Sequence, residues 1–382
     1  MDNLAEIMKI IEAGLHQDSA KVFNYSQLLI NKTEEKGDIQ SAKRLSSVLK
    51  DNKKISIQAK DYGHILKLPV DSESRLPLAE ITKYDKGSVL LSLDEWSMSS
   101  VREFIYIINH ADLFLEEGIK SNRSMILFGK PGTGKTQTAR YISSETSLPL
   151  VTVRLDGLIS SYLGSTSKNL RTLFDFVRRT PCILFLDEFD AIAKVRDDSN
   201  ELGELKRVVN TLLQNIDSIE SNIPIIAATN HEHLLDPAVW RRFDYKIRVK
   251  LPDASIRGLL LAEFFKDLII ENGVLDFAEA LTEGMNGSEL EMLATQIRIN
   301  LIVDKADLLR FKDFLTYFIN FKKRLGQGSA DENINNEEIV FRAIRSMRNK
   351  DRKTFSIREI SSITGISTGK LSQELRKMEV IS

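Results

Sequence analysis

The sequence predicts an α/β fold: a parallel sheet sandwiched by helices, then a small helical domain, with a helical module in front and a helix-turn-helix behind. Three observations carry that prediction. From Ser124 onward, short apolar runs alternate with helical segments: Met125-Ile126-Leu127-Phe128, Leu150-Val151-Thr152-Val153, Ile183 to Leu186, Ile225-Ile226-Ala227-Ala228 and Ile247-Arg248-Val249. That texture is the mark of a sheet covered on both faces. The first run leads straight into a glycine-rich turn and a helix, and beyond Pro252 the spacing turns helical, most clearly over Arg257 to Ile270 and Ser288 to Val303.

The totals agree. A chain of 382 residues has room for two or three folding units. Its 42% hydrophobic and 28% charged residues are those of a globular protein. With 53 Lys+Arg against 54 Asp+Glu, no long-range field draws the whole molecule to nucleic acid or an acidic membrane. The one cysteine, Cys182, sits inside an apolar run and reads as a small buried hydrophobe. Met1 to Glu6 carries acid where a signal peptide needs base, and no apolar stretch approaches the roughly 18 residues of a membrane span. A cytoplasmic protein without membrane contact is expected.

Taken in order, residues 1–50 place Leu4, Ile7, Ile10, Ile11, then Phe23, Leu28, Leu29, then Ala42, Leu45, Leu49 at helical spacing, a small helical module. Residues 51–86 are polar and poorly periodic and read as a linker. The large α/β domain spans 87–252 and the helical lid 253–325. Gly326-Gln327-Gly328-Ser329 opens a linker over 326–335, and 336–382 forms the last module, with Ser356 to Thr364 and Thr368 to Met378 around Gly365-Ile366-Ser367.

Gly129-Lys130-Pro131-Gly132-Thr133-Gly134-Lys135-Thr136 follows a strand and precedes a helix, the context a G-x-x-x-x-G-K-[ST] loop requires. Glycines let successive N–H groups face one concavity, the helix N-terminus adds positive potential, Lys135 would neutralise terminal phosphates and Thr136 would ligate magnesium. Gln137 belongs to the same nucleotide-binding stretch. Further on, an apolar strand ends in Asp187-Glu188. Asp187, part of the nucleotide-binding set, is placed to hold the magnesium, usually through water, and Glu188 to accept a proton from the attacking water. Asn230 closes another buried strand with an amide that can orient a water or touch a phosphate.

Leu235-Asp236-Pro237-Ala238-Val239-Trp240-Arg241-Arg242-Phe243-Asp244, ending in Leu251-Pro252-Asp253, resembles the second region of homology of the AAA ATPase family. Asn230 just before it strengthens the likeness. Many members place Pro-Gly between the two arginines; adjacent Arg241 and Arg242 are similar to the katanin, spastin and endosomal-sorting subgroup. The resemblance covers Ala111 to Ile302, with Arg207 to Leu213 and Asp217 like the helix after the acids and Gly287-Ser288-Glu289-Leu290 like the lid signature. Lys130 replaces the usual proline, and no Gly-rich adenine-contacting segment stands before Ala111.

The resemblance implies ATP and Mg2+ as cofactors and a homo-oligomer, by family habit a hexamer. In it Arg241 and Arg242 serve as catalytic residues reaching into the neighbouring subunit's nucleotide. Tyr162-Leu163-Gly164 stands where the family grips protein substrate in an axial pore, though Ser165 replaces the usual acid. The overall arrangement is also similar to bacterial ATPases that accompany a subtilisin-like serine peptidase, so a separate serine protease is a candidate partner. The rival expectation is a DNA-acting ATPase, a replication or transposition helper. From Glu337 to Ser382 ten basic residues face six acidic ones, and Thr368, Lys370 and Gln373 would be the contacts of the second helix.

Overall fold

The computed structural model describes residues 3–15, 19–51, 69–71, 75, 77–119, 123–155, 163–191, 202–219, 223–325, 341, 344, 345, 348, 356–364 and 366–380. Two compact units emerge, one of residues 1–91, 95–130 and 135–249 and one of residues 92–94, 131–134 and 250–382.

The first unit is built on a six-stranded sheet in the order β1-β3-β4-β5-β2-β6. Its strands are β1 (Glu80–Thr82), β2 (Ser124–Phe128), β3 (Leu150–Arg154), β4 (Ile183–Asp187), β5 (Ile225–Thr229) and β6 (Tyr245–Arg248). Strands β2 to β6 pair in parallel. The residues of β2, β4 and β5 are almost wholly buried, as a sheet covered on both sides demands. Alternation assigns the faces. Ile126, Val151, Val153, Leu184, Leu186 and Ala227 pack with Leu170, Leu173, Phe174 and Val177 of the Leu163–Arg178 helix and with Leu212, Leu213 and Ile216 of the Leu202–Ser218 helix. The opposite face carries the Lys135–Thr146 helix, which touches β3, β4 and β5, while the Glu95–Asn109 helix packs on that helix and on β6.

The segment read as a linker contributes to this sheet. β1 lies inside it and pairs antiparallel with β3, Ile81 opposite Val151. Three residues are too few to show a period of two.

The helices Leu4–Leu15, Ser19–Glu35 and Ile39–Asp51 belong to the same unit. Ala5 N–H donates to Asp112 Oδ1 at 2.6 Å and Asn24 Nδ2 to Arg179 O at 3.0 Å. A cavity of about 50 Å³ beneath them is lined by Tyr25 and Leu28 on one side and by Arg123, Leu148, Cys182 and Pro224 on the other. Those four stand just before the strands, so the first two helices cap the sheet's amino edge, while the third packs on the second. Tyr25 is buried, and burial pushes its phenol well above the usual range. Burial likewise pushes the Cys182 thiol up to about 12.

The second unit has one apolar core running from Leu261, Phe265, Phe277 and Leu290 through Phe314 and Phe318 to Phe341, Ile344, Ile360 and Leu371. The helix expected to reach Ile270 ends at Phe264, and Ile269–Ile270 pairs in parallel with Leu308–Leu309, β-branched residues favouring the extended form. Two caps fix the lid helices. Asp253 accepts from Ile256 N at 2.9 Å, and Asn286 and Glu289 form a reciprocal capping box before Gly287–Val303. The terminal helices are Ile357–Thr364 and Thr368–Val380. Leu371 is buried in the shared core while Thr368, Lys370 and Gln373 face solvent. Among the described residues, no helix is long and apolar enough to cross a membrane.

Candidate active site

Among the candidate residues, Lys135, Thr136, Asp187, Glu188 and Asn230 lie at the carboxyl edge of the parallel strands, where open sheets of this class bind ligands. The loop leaves β2 at Phe128, and its glycines are there for steric reasons. Gly129 has φ 145°, and a Cβ there would stand 2.3 Å from Val249 O, so no side chain fits. Gly134 has φ 105°, with open space where a Cβ would point. The loop's middle, Pro131 to Gly134, groups with the second unit. There Ser288 N–H donates to Gly132 O at 3.3 Å, and a Cβ on Gly132 would strike the Asn286 amide.

Lys135 opens the helix and is buried, its Nζ donating to Gly129 O and Lys130 O at 2.8 Å each. Burial lowers its pKa to about 8, against the upward pull of Asp187 and Asp190. Thr136 Oγ1 donates to Asp187 Oδ2 at 3.4 Å, so a hydroxyl and a carboxylate converge, a hard oxygen pair suited to magnesium. Gln137 Nε2 donates to Leu90 O at 3.0 Å, tying the helix to the segment before Glu95–Asn109. Glu188 follows Asp187 with φ 54°, a left-handed conformation costly for a non-glycine residue and frequent where geometry serves chemistry. Its N–H donates to Asp187 Oδ1 at 2.9 Å. Asn230 ends β5 on the same edge, half-buried.

The stretch after Asn230 has a plain physical reading. Asp236 caps the short Pro237–Trp240 helix, accepting from Ala238 N at 2.6 Å, with Pro237 in the first turn. Trp240 packs edge-on against Phe128 at 5.0 Å. Arg241 follows the helix, exposed, and Arg242 turns back to Asp217. Tyr162 lies outside the described residues, and Leu163 is the first residue of its helix.

Two features were missed by sequence reasoning. Asp190, 4% exposed, accepts from Thr229 Oγ1 and Asn230 N; an acid flanked by Phe189 and Ala191 was its only signal. Within the second unit, a cavity of about 160 Å³ is lined by Ser92, Leu93, Asp94, Thr133, Leu251, Ile256 and Leu260. No glycine-rich motif marks it.

Comparison with known proteins matches residues 125–251 to the model of the ATPase family associated with various cellular activities (AAA). The chain is 41% identical over 221 residues to an uncharacterised AAA family ATPase, y4kL, of Sinorhizobium fredii, covering 57% of this chain and 67% of that protein. It is 30% identical over 294 residues to a 26S proteasome regulatory subunit 8 homolog of Encephalitozoon cuniculi, covering 74% and 75%. To a proteasome-activating nucleotidase of Thermococcus gammatolerans it is 28% identical over 299 residues, 74% of each. The likeness extends well past the phosphate loop, over most of both proteins, and the chain belongs to the AAA family as an ATP-hydrolysing enzyme.

Proposed function

We propose that this ATPase assembles into a ring, a hexamer as the resemblance implies, and couples magnesium-dependent ATP hydrolysis to unfolding or remodelling a protein threaded past Tyr162 and Leu163. The observation that carries the reading is the similarity to a proteasome-activating nucleotidase over 74% of the chain. That name supports a protein client and a separate protease as partner over a DNA duplex as the object.

The residues fit the cofactors. Magnesium supplies a positive charge that offsets the charge of the phosphates, and Thr136 and Asp187 would hold it. Lys135, released from the two carbonyls it now meets, neutralises the outer phosphates. Glu188 accepts the proton of the attacking water at its carboxylate. Asn230 orients that water, and Gly129 to Thr136 cradle the phosphates through backbone N–H groups. The cavity by Thr133 would take adenine. Its volume of about 160 Å³ is well below the roughly 300–1,000 Å³ of whole-ligand pockets, which suits one flat ring among Leu93, Leu251, Ile256 and Leu260.

Arg241, exposed on the first unit, would supply the cation to a neighbouring subunit's nucleotide. A substrate-pulling assay on Tyr162→Ala tests the reading. ATP turnover should persist while processing of an unfoldable tagged protein stops. Processing at the wild-type rate would remove Tyr162 from the mechanism. Duplex-stimulated turnover with no protein processing in wild type would replace the reading with a DNA-acting one.

A further inference from the structure

Asp190 lies two residues past Glu188 and is buried, a placement that costs a carboxyl group free energy unless hydrogen bonds offset it. Its Oδ1 accepts from Thr229 Oγ1 at 3.1 Å and from Asn230 N–H at 3.4 Å. Thr229 Oγ1 accepts in turn from His231 N–H at 3.0 Å, and Asp190 Oδ2 stands 4.0 Å from His231 Nε2. One carboxylate therefore organises three consecutive residues where β5 ends. The same turn is joined to β5 through the backbone, Phe189 N–H donating to Ala228 O at 2.8 Å. The Glu188 turn and the Asn230 strand end are thus locked together from two sides.

We propose that Asp190 is a positioning residue for hydrolysis, acting with the Thr229 hydroxyl to fix the spacing between Glu188 and Asn230 so that both address one water. The proposal rests on the roles given above to Glu188 and Asn230. Asp190 is spent on protein donors, so its influence falls on turnover and not on nucleotide affinity. Misplacing a reacting group by about 1 Å can cost on the order of a hundredfold in rate.

The test uses the full chain with magnesium and ATP, measuring kcat and KM, binding of a fluorescent ATP analogue, and thermal unfolding. Thr229→Val, nearly isosteric and uncharged, should lower kcat about tenfold or more with KM held within about twofold. Thr229→Ser should restore most of that loss, because the hydroxyl returns. Asp190→Asn exchanges charge-assisted bonds for neutral ones and should lower kcat about threefold or more. Wild-type kcat in Thr229→Val, equal kcat in the Val and Ser variants, or kcat and KM moving together would each overturn the proposal. If Thr229→Val does not fold, Asp190→Asn decides, and wild-type turnover in it is refutation. Glu188→Gln runs alongside: turnover there would fell the underlying site assignment, whereas an inactive Glu188→Gln beside a fully active Thr229→Val fells only Asp190.

Discussion

The Arg242 guanidinium grips Asp217 at two points, Nε to Oδ1 at 2.8 Å and Nη2 to Oδ2 at 2.9 Å, while its Nη1 donates to Ala238 O at 2.6 Å. Arg241 beside it is exposed and makes no ion pair among the described residues. The adjacent arginines are therefore not equivalent. A two-point Arg–carboxylate pair fixes orientation as well as charge, so Arg242 braces the turn from which Arg241 projects.

That asymmetry makes Arg241 the better candidate to act across a subunit boundary. Arg241→Ala should leave ATP binding intact and lower turnover by roughly a thousandfold or more. Mixing Arg241→Ala with Lys135→Ala subunits should recover part of the activity, since each lacks what the other brings. Titrating the mixing ratio in a steady-state assay checks it, and a flat line at every ratio contradicts action in trans.

Glu188→Gln should bind ATP as wild type does and fail to hydrolyse it, leaving assembled rings visible by size-exclusion chromatography with ATP present. Turnover within tenfold of wild type would remove Glu188 as the base, because general-base catalysis contributes about a hundredfold or more.

Lys135 gives the pH dependence a sign. With its pKa lowered to about 8 from 10.5, the folded chain holds that proton less tightly than the unfolded one. The burial penalty is therefore full below pH 8 and fades as pH rises toward 10.5. Phosphates favour the charged form, so ATP binding above pH 8 should take up a proton and weaken as pH increases. Calorimetry at pH 8.5 in two buffers of different ionisation enthalpy measures the uptake. Identical heats would mean the ammonium was already charged.

Asn286→Ala removes the cap that accepts from Glu289 N at 2.9 Å and should cost about 1 kcal/mol, read as a lower melting temperature. Asn286→Asp should keep most of that stability, a carboxylate being as good a cap as an amide.

Much of this was legible beforehand because the relevant physics is local. A strand running into Gly129 to Thr136, acids closing β4 and an amide closing β5 each need only a few consecutive residues, and in the structure Thr136 Oγ1 stands 3.4 Å from Asp187 Oδ2. Asp236 and Pro237, noticed as part of a family pattern, turn out to be a helix start. What stayed hidden depends on distant pairing. β1 is too short to show a period and exists only against β3. Asp190 looks like any acid after a strand until Thr229 and Asn230, some forty residues on, meet it. Ser92 to Asp94 and Leu251 to Leu260 share a cavity that no local motif announces.

The helices Leu4–Leu15 and Ser19–Glu35 cover the ends at which the parallel strands begin, with Tyr25 and Leu28 set against Leu148, Cys182 and Pro224. A shortened chain starting near Gly87 would bare that floor to water, along with the Ile108 and Ile223 side chains, and would be prone to stick to itself. The helices Leu4–Leu15 and Ser19–Glu35 are in this sense a foundation of the ATPase domain, and any recruiting task they perform has to be carried out from their outer surface.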